Sequence, residues 1–121
     1  MNILYRNVAV FLISSVLVSG CGKIETYGSA DFGGNTVNIR EILAAPERHE
    51  GETVEVKGRI IRECPSGCWF DIKDNTGEIH VDINPSGFAI PQKTGSVITA
   101  RGKVKMRNGN AMIIGEGVKI E

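Results

Sequence analysis

Cys64-Pro65-Ser66-Gly67-Cys68-Trp69-Phe70-Asp71 is the densest run of reactive side chains in the 121 residues. Two thiols with three residues between them can close a disulfide, exchange electrons or hold a soft metal ion. The spacing is C-x3-C rather than C-x-x-C, and no helix N-terminus follows to lower a thiol pKa. A metal would need ligands beyond this pair, and no C-x-x-C-H is present for covalent haem. Further on, His80 and Asp82 lie on one face of a strand, as Trp69 and Asp71 do on the strand before it. Paired as a meander, the four form one polar patch. Trp69 there is either a stacking platform or a cover for the barrel wall. Asp71, His80 and Asp82 could hold a weak cation, though no motif requires one. Lys57 and Arg59 point outward with Arg101, Lys103 and Lys105. This basic stripe would meet an anionic polymer or a lipid head group, or simply keep a sheet edge solvated. No Gly-rich phosphate loop, nucleophile elbow or H-E-x-x-H is present, and Ser, His and Asp show no triad spacing. No catalytic residue, cofactor or dedicated metal site is therefore expected.

The elements that position these residues follow from periodicity. Asn38-Ile39-Arg40-Glu41 has the spacing of a capping box and predicts a small helix. Ile39, Ile42 and Leu43 share its packed face, and Pro46 ends it or starts a second short turn. Past Gly51 the period changes to alternation. Val54, Val56, Gly58 and Ile60 predict one strand, Phe70 and Ile72 a second, and Ile79, Val81 and Ile83 a third. Asp74-Asn75-Thr76-Gly77 is the turn between the last two, with Gly77 where a positive φ is cheap. Pro85 to Gln92 reads as a loop with one helical turn, carrying Phe88 and Ile90. Ile98 to Met106 is a fourth strand. Arg107-Asn108-Gly109-Asn110 turns it into a fifth, from Met112 to Ile120, interrupted at Gly115 and Gly117. Gly58 and Gly102 sit mid-strand at core-facing positions, which suits the sharp coiling of a small barrel. The fold class is all-β with a small N-terminal helix: a five-stranded OB-fold-type barrel, with an open β-sandwich as the alternative.

The chain has 14 Lys+Arg and 14 Asp+Glu, a formal net charge of zero, which argues against a dedicated nucleic-acid binder. Val8 to Val18 is apolar apart from two serines and too short to span a bilayer, which needs ~20 residues, so it fits an export signal. Val18-Ser19-Gly20-Cys21 resembles the bacterial lipobox. That resemblance implies cleavage before Cys21, diacylglyceryl on its sulfur and a further acyl chain (palmitate or similar) on the new N-terminus. Several chains anchor stably where one is marginal. Removing residues 1–20 takes away Arg6 and no acid, leaving a formal charge of −1. Residues 21–36, rich in Gly and small polar residues, read as a flexible tether, with Tyr27 and Phe32 as solvated linker residues. Residues 37–121 are the folded domain. With Cys21 lipidated, Cys64 and Cys68 remain as an even pair in an oxidising compartment. A disulfide is the first reading; a redox-active pair and a metal-handling pair are the others.

Ile42 to Ile60, Cys64 to Gly77 and Phe88 to Gly95 together resemble small exported bacterial OB-fold proteins, the tRNA-anti-like or nucleic-acid-binding-type domains. The CPSGCWFDIKDNTG stretch is the most specific part. The resemblance implies the OB barrel, and nucleic acid as a partner only by analogy of fold. In OB domains the outer face of strands two and three takes the ligand. Trp69, Asp71, His80, Lys57 and Arg59 are thus the expected contact residues of an envelope module. It would face the periplasm or the outer surface, its membrane partner reached through the lipid and its ligand an unknown envelope protein or oligomer.

Overall fold

The computed structural model describes residues 23–29 and 31–121; the export signal and Cys21 lie outside the described residues. Alternating side chains produce five strands as the sequence predicts, and one more strand precedes them. They are β1 (Glu25–Gly28), β2 (Thr53–Glu63), β3 (Trp69–Lys73), β4 (Glu78–Asp82), β5 (Val97–Arg107) and β6 (Asn110–Ile120). Two short helices, α1 (Ile39–Ala44) and α2 (Pro46–His49), come before β2, and a 3-10 turn at Asn84–Ser86 follows β4.

β2, β3 and β4 form an antiparallel meander, with Arg59 opposite Lys73 and Asp71 opposite His80. β4 runs parallel to β6, Val81 beside Ile113. β6 returns antiparallel to β5, and β5 pairs with β2. The ring β2–β3–β4–β6–β5 is therefore closed, in the order of an OB-type barrel, which excludes the open sandwich. Phe70, Ile72, Val81, Ile98, Ile113 and Val118 point inward and are fully buried. Burial of each such side chain contributes roughly 1.5–3 kcal/mol.

Two glycines mark where the coil presses strands together. A Cβ at Gly58 would lie 2.6 Å from the Lys73 carbonyl oxygen, and one at Gly102 only 2.0 Å from that of Ile114. Beside Gly102 the β5–β6 register shifts: Arg101 faces Gly117, Gly102 faces Gly115, and Glu116 is left over as a bulge. β6 therefore runs unbroken through the two glycines where an interruption was expected. A second bulge leaves Ile61 unpaired between Ile60–Ile72 and Arg62–Asp71. Asn108 and Gly109 both take positive φ, 51° and 78°, as the expected two-residue hairpin requires.

The structure corrects four local readings. The segment taken as a tether is partly built into the sheet: β1 pairs with the second half of β6, Glu25 opposite Ile120. Tyr27 packs against the core, and Lys119 Nζ sits 4.8 Å from the Phe32 ring centroid, so neither aromatic is a bare linker residue. Asn38 stands at the N-cap position of α1 but makes no side-chain cap bond. The caps come from the β3–β4 turn instead. Asp74 Oδ2 accepts the Ile39 N–H at 2.9 Å, and Thr76 Oγ1 accepts the Arg40 N–H at 3.1 Å. Gly77 does not adopt a positive φ. Its missing side chain makes room for α1, since a Cβ there would meet Leu43 and Ile39 at 3.3 and 3.4 Å. Leu43 itself is 41% exposed, and Ile39 and Ile42 carry the packing.

Candidate functional site

Alternation along β3 sends Phe70 and Ile72 inward and Trp69, Asp71 and Lys73 outward. The register of β4 sets Asp82, His80 and Glu78 opposite these three. His80 Nδ1 lies 2.6 Å from Asp71 Oδ1. The Trp69 and His80 rings are 5.2 Å apart between centroids and tilted by 40°. Arg62 completes the row: its Nε donates to Asp71 Oδ2 at 3.0 Å and its Nη2 to Glu78 Oε2 at 2.7 Å. Hydrogen bonds to Asp71 and then Glu78 raise the Arg62 pKa above its ordinary value. The result is an aromatic pair whose imidazole is held by a carboxylate that is itself held by a guanidinium.

Trp69, Asp71 and His80 are thus brought together as expected. Arg62 and Glu78 were missed as members of the cluster. Strict alternation from inward-facing Ile60 would turn Arg62 inward; the bulge at Ile61 turns it out, and no local signal announces that bulge. Lys57 and Arg59 share the outer surface but form a separate group. Lys57 Nζ is 3.1 Å from Glu121 Oε1, and Arg59 donates to the Gly95 carbonyl. With Lys73, Asp74 and Val97 they line a hollow of about 400 Å³. The expected basic stripe is interrupted, because Arg101 is 3.3 Å from Glu55, which is 3% exposed and also accepts the Gly33 N–H. Among the described residues, no group of three His, Cys, Asp or Glu is placed to hold a metal ion. Asp82, a member of the weak-cation reading, accepts the Asn84 N–H at 3.0 Å instead.

Cys64 and Cys68 bracket the β2–β3 loop, immediately before Trp69. Both are free thiols in this structure rather than the disulfide expected, with Cys64 buried and Cys68 half-buried. Ser66 Oγ lies 3.1 Å from Cys64 Sγ and 3.7 Å from Cys68 Sγ. Hydrogen bonds from the Cys68 thiol and then from the Ser66 hydroxyl pull the Cys64 pKa down to about 6, while Cys68, bonded to Cys64, is pushed up.

The closed five-strand ring defines a small OB-type barrel protein. A solved structure titled as that of the hypothetical protein ygiW from E. coli shares this fold, with a TM-score of 0.57 and 18% identity. The likeness covers 77% of this chain and 100% of that one. No family model and no curated protein matches the chain.

Proposed function

We propose that this chain is a lipid-anchored bacterial envelope protein whose OB-type barrel is a binding module rather than an enzyme. Its contact surface is the outer face of β3 and β4. The observation that carries this reading is the Trp69–His80 pair, clamped by Asp71 and Arg62 on the face where OB barrels take ligands. A half-exposed indole held rigid before contact loses little freedom on binding, which favours affinity. Asp71, Glu78 and Asp82 outnumber Arg62 and Lys73 around it, so the face suits a neutral or cationic protein segment better than a phosphate backbone. The anchor is the lipid on Cys21. Among the described residues no helix is long and apolar enough to cross a membrane.

A photo-reactive residue at exposed Lys73, in cells making the full chain, tests the face. The expected result is one defined adduct that Trp69→Ala abolishes in a protein with unchanged circular dichroism. Equal cross-linking by the Trp69→Ala chain discards the face. The mature chain should begin at Cys21 and carry the mass of a diacylglyceryl group and an acyl chain, which Cys21→Ala abolishes; a native chain without that mass discards the anchor.

A second reading, binding of an anionic oligomer, rests on the hollow lined by Lys57, Arg59 and Lys73. Affinity for single-stranded DNA or a polyanion that falls steeply with salt, and that Lys57→Ala with Arg59→Ala weakens, would favour it.

A further inference from the structure

The β2–β3 loop is braced from the segment facing it. Gln92 Nε2 donates to the carbonyls of Cys64 and Pro65, each at 2.9 Å. The Glu63 carboxylate accepts the N–H groups of Lys93 and Thr94 at 2.8 and 2.7 Å and the Thr94 hydroxyl at 2.6 Å. Gly67, at φ +75°, lies against Ile90 so closely that a Cβ would come within 2.1 Å of its carbonyl oxygen. Ile90 N–H donates to the Gly67 carbonyl at 3.2 Å, and Ile83 N–H to that of Cys68 at 3.1 Å. The backbone positions of the two cysteines are therefore fixed relative to each other by this set of bonds.

Within the braced loop the sulfurs are unequal. Cys64 is 8% exposed and shares a contact with Ser66, whereas Cys68, half-buried beside Trp69, is the more accessible of the two. An incoming group reaches Cys68 first. Negative charge on sulfur is best held at Cys64, because the Ser66 hydroxyl, 3.1 Å away, can still donate to it when Cys68 is bonded to an incoming sulfur.

We propose that Cys64 and Cys68 form a thiol–disulfide exchange site, with Cys68 the sulfur that is attacked and Cys64 the thiolate that leaves. The substrate class is a free thiol, of a small molecule or a protein. In the oxidised pair, the substrate thiolate attacks Cys68 Sγ. The Cys64–Cys68 bond breaks, and its electron pair stays on Cys64 as a thiolate, to which the Ser66 hydroxyl donates a hydrogen bond. A second substrate thiolate attacks the substrate sulfur of the mixed disulfide. Cys68 departs as thiolate and takes up a proton. Two substrate thiols lose two electrons and become one disulfide; the protein pair gains the two electrons. An exchangeable disulfide restores the pair by the reverse steps. Ser66 is a positioning residue here. The site does not depend on the lipid or on the β3–β4 face.

The test equilibrates the full chain in mixtures of reduced and oxidised glutathione, quenches with acid, alkylates free thiols and maps the peptides by mass. The expected result is reversible interconversion of dithiol and disulfide, with the glutathione adduct on Cys68. Ser66→Ala should slow reduction of the disulfide on the order of threefold per unit gained in the Cys64 pKa, and Ser66→Thr should restore it. An adduct confined to Cys64 overturns the assignment. So does a disulfide that excess reduced glutathione leaves intact, which would be purely structural, or a pair that never oxidises.

Discussion

Trp69 is the chain's single tryptophan, so its emission reports one contact. His80→Ala removes the ring against which it rests and should shift emission toward that of a hydrated indole. The stability cost is about 0.5–1.5 kcal/mol, the range for an aromatic pair. Unchanged emission would show that the two rings do not meet in solution. Cys64 gives a pH prediction for the reduced protein. Its folded pKa, about 6, lies below the ordinary thiol value of 9.0. The unfolded chain therefore holds the proton over that interval and the folded chain does not. Stability contributed by the thiolate is complete above about 9 and is lost as pH falls through about 6. Urea melts of the reduced chain against Cys64→Ala should diverge as pH rises through this window; parallel curves would refute the depressed pKa.

The β3–β4 turn acts as the cap of a helix 35 residues upstream. Asp74 accepts the N–H groups of Ile39, Thr76 and Gly77 and the Thr76 hydroxyl. Burial opposes its ionisation, but these bonds outweigh it and the pKa is lowered from its ordinary value. Asp74→Ala should cost about 2 kcal/mol in chemical denaturation, since a cap and a turn fail together. The contribution is full above the unfolded pKa and disappears as pH falls through the lower folded value. Strand packing yields a second expectation. Gly102→Ala places a methyl 2.0 Å from the Ile114 carbonyl oxygen, where backbone rather than a flexible side chain must yield. A loss of about 3 kcal/mol is expected, near the upper end for overpacking. Thermal melting that leaves the midpoint unchanged would mean the strands separate easily there.

Across the whole molecule, closure depends on pairings distant in sequence, such as Thr53 with Lys103 and Val81 with Ile113. Refolding from urea should therefore take milliseconds to seconds, as for other small β-barrels, and stopped-flow Trp69 emission measures it. A microsecond phase carrying the full amplitude would contradict this topology. Distance along the chain also separates what the residues disclosed from what they concealed. Alternation at Val54–Ile60 and Ile79–Ile83 is local, so the strands and the Trp69–Asp71–His80 cluster could be read directly. The glycines at 58 and 102 signalled the coil for the same reason. The true caps of α1 could not be read, because Asp74 and Thr76 reach Ile39 and Arg40 only after the chain folds back. Arg62 was hidden by a bulge that shifts the alternation, and β1 by having only Tyr27 as an apolar signal in four residues.

That short first strand changes what an anchor would mean. With the lipid proposed for Cys21, only three residues separate it from Glu25, where β1 is already fastened to β6. The four steps from Cys21 to Glu25, at no more than about 3.6 Å each, span roughly 14 Å. The barrel would then ride on the bilayer like a boat moored short, its search confined to two dimensions. A partner embedded in the same membrane would meet it at high effective concentration, while one across a wide compartment would stay out of reach.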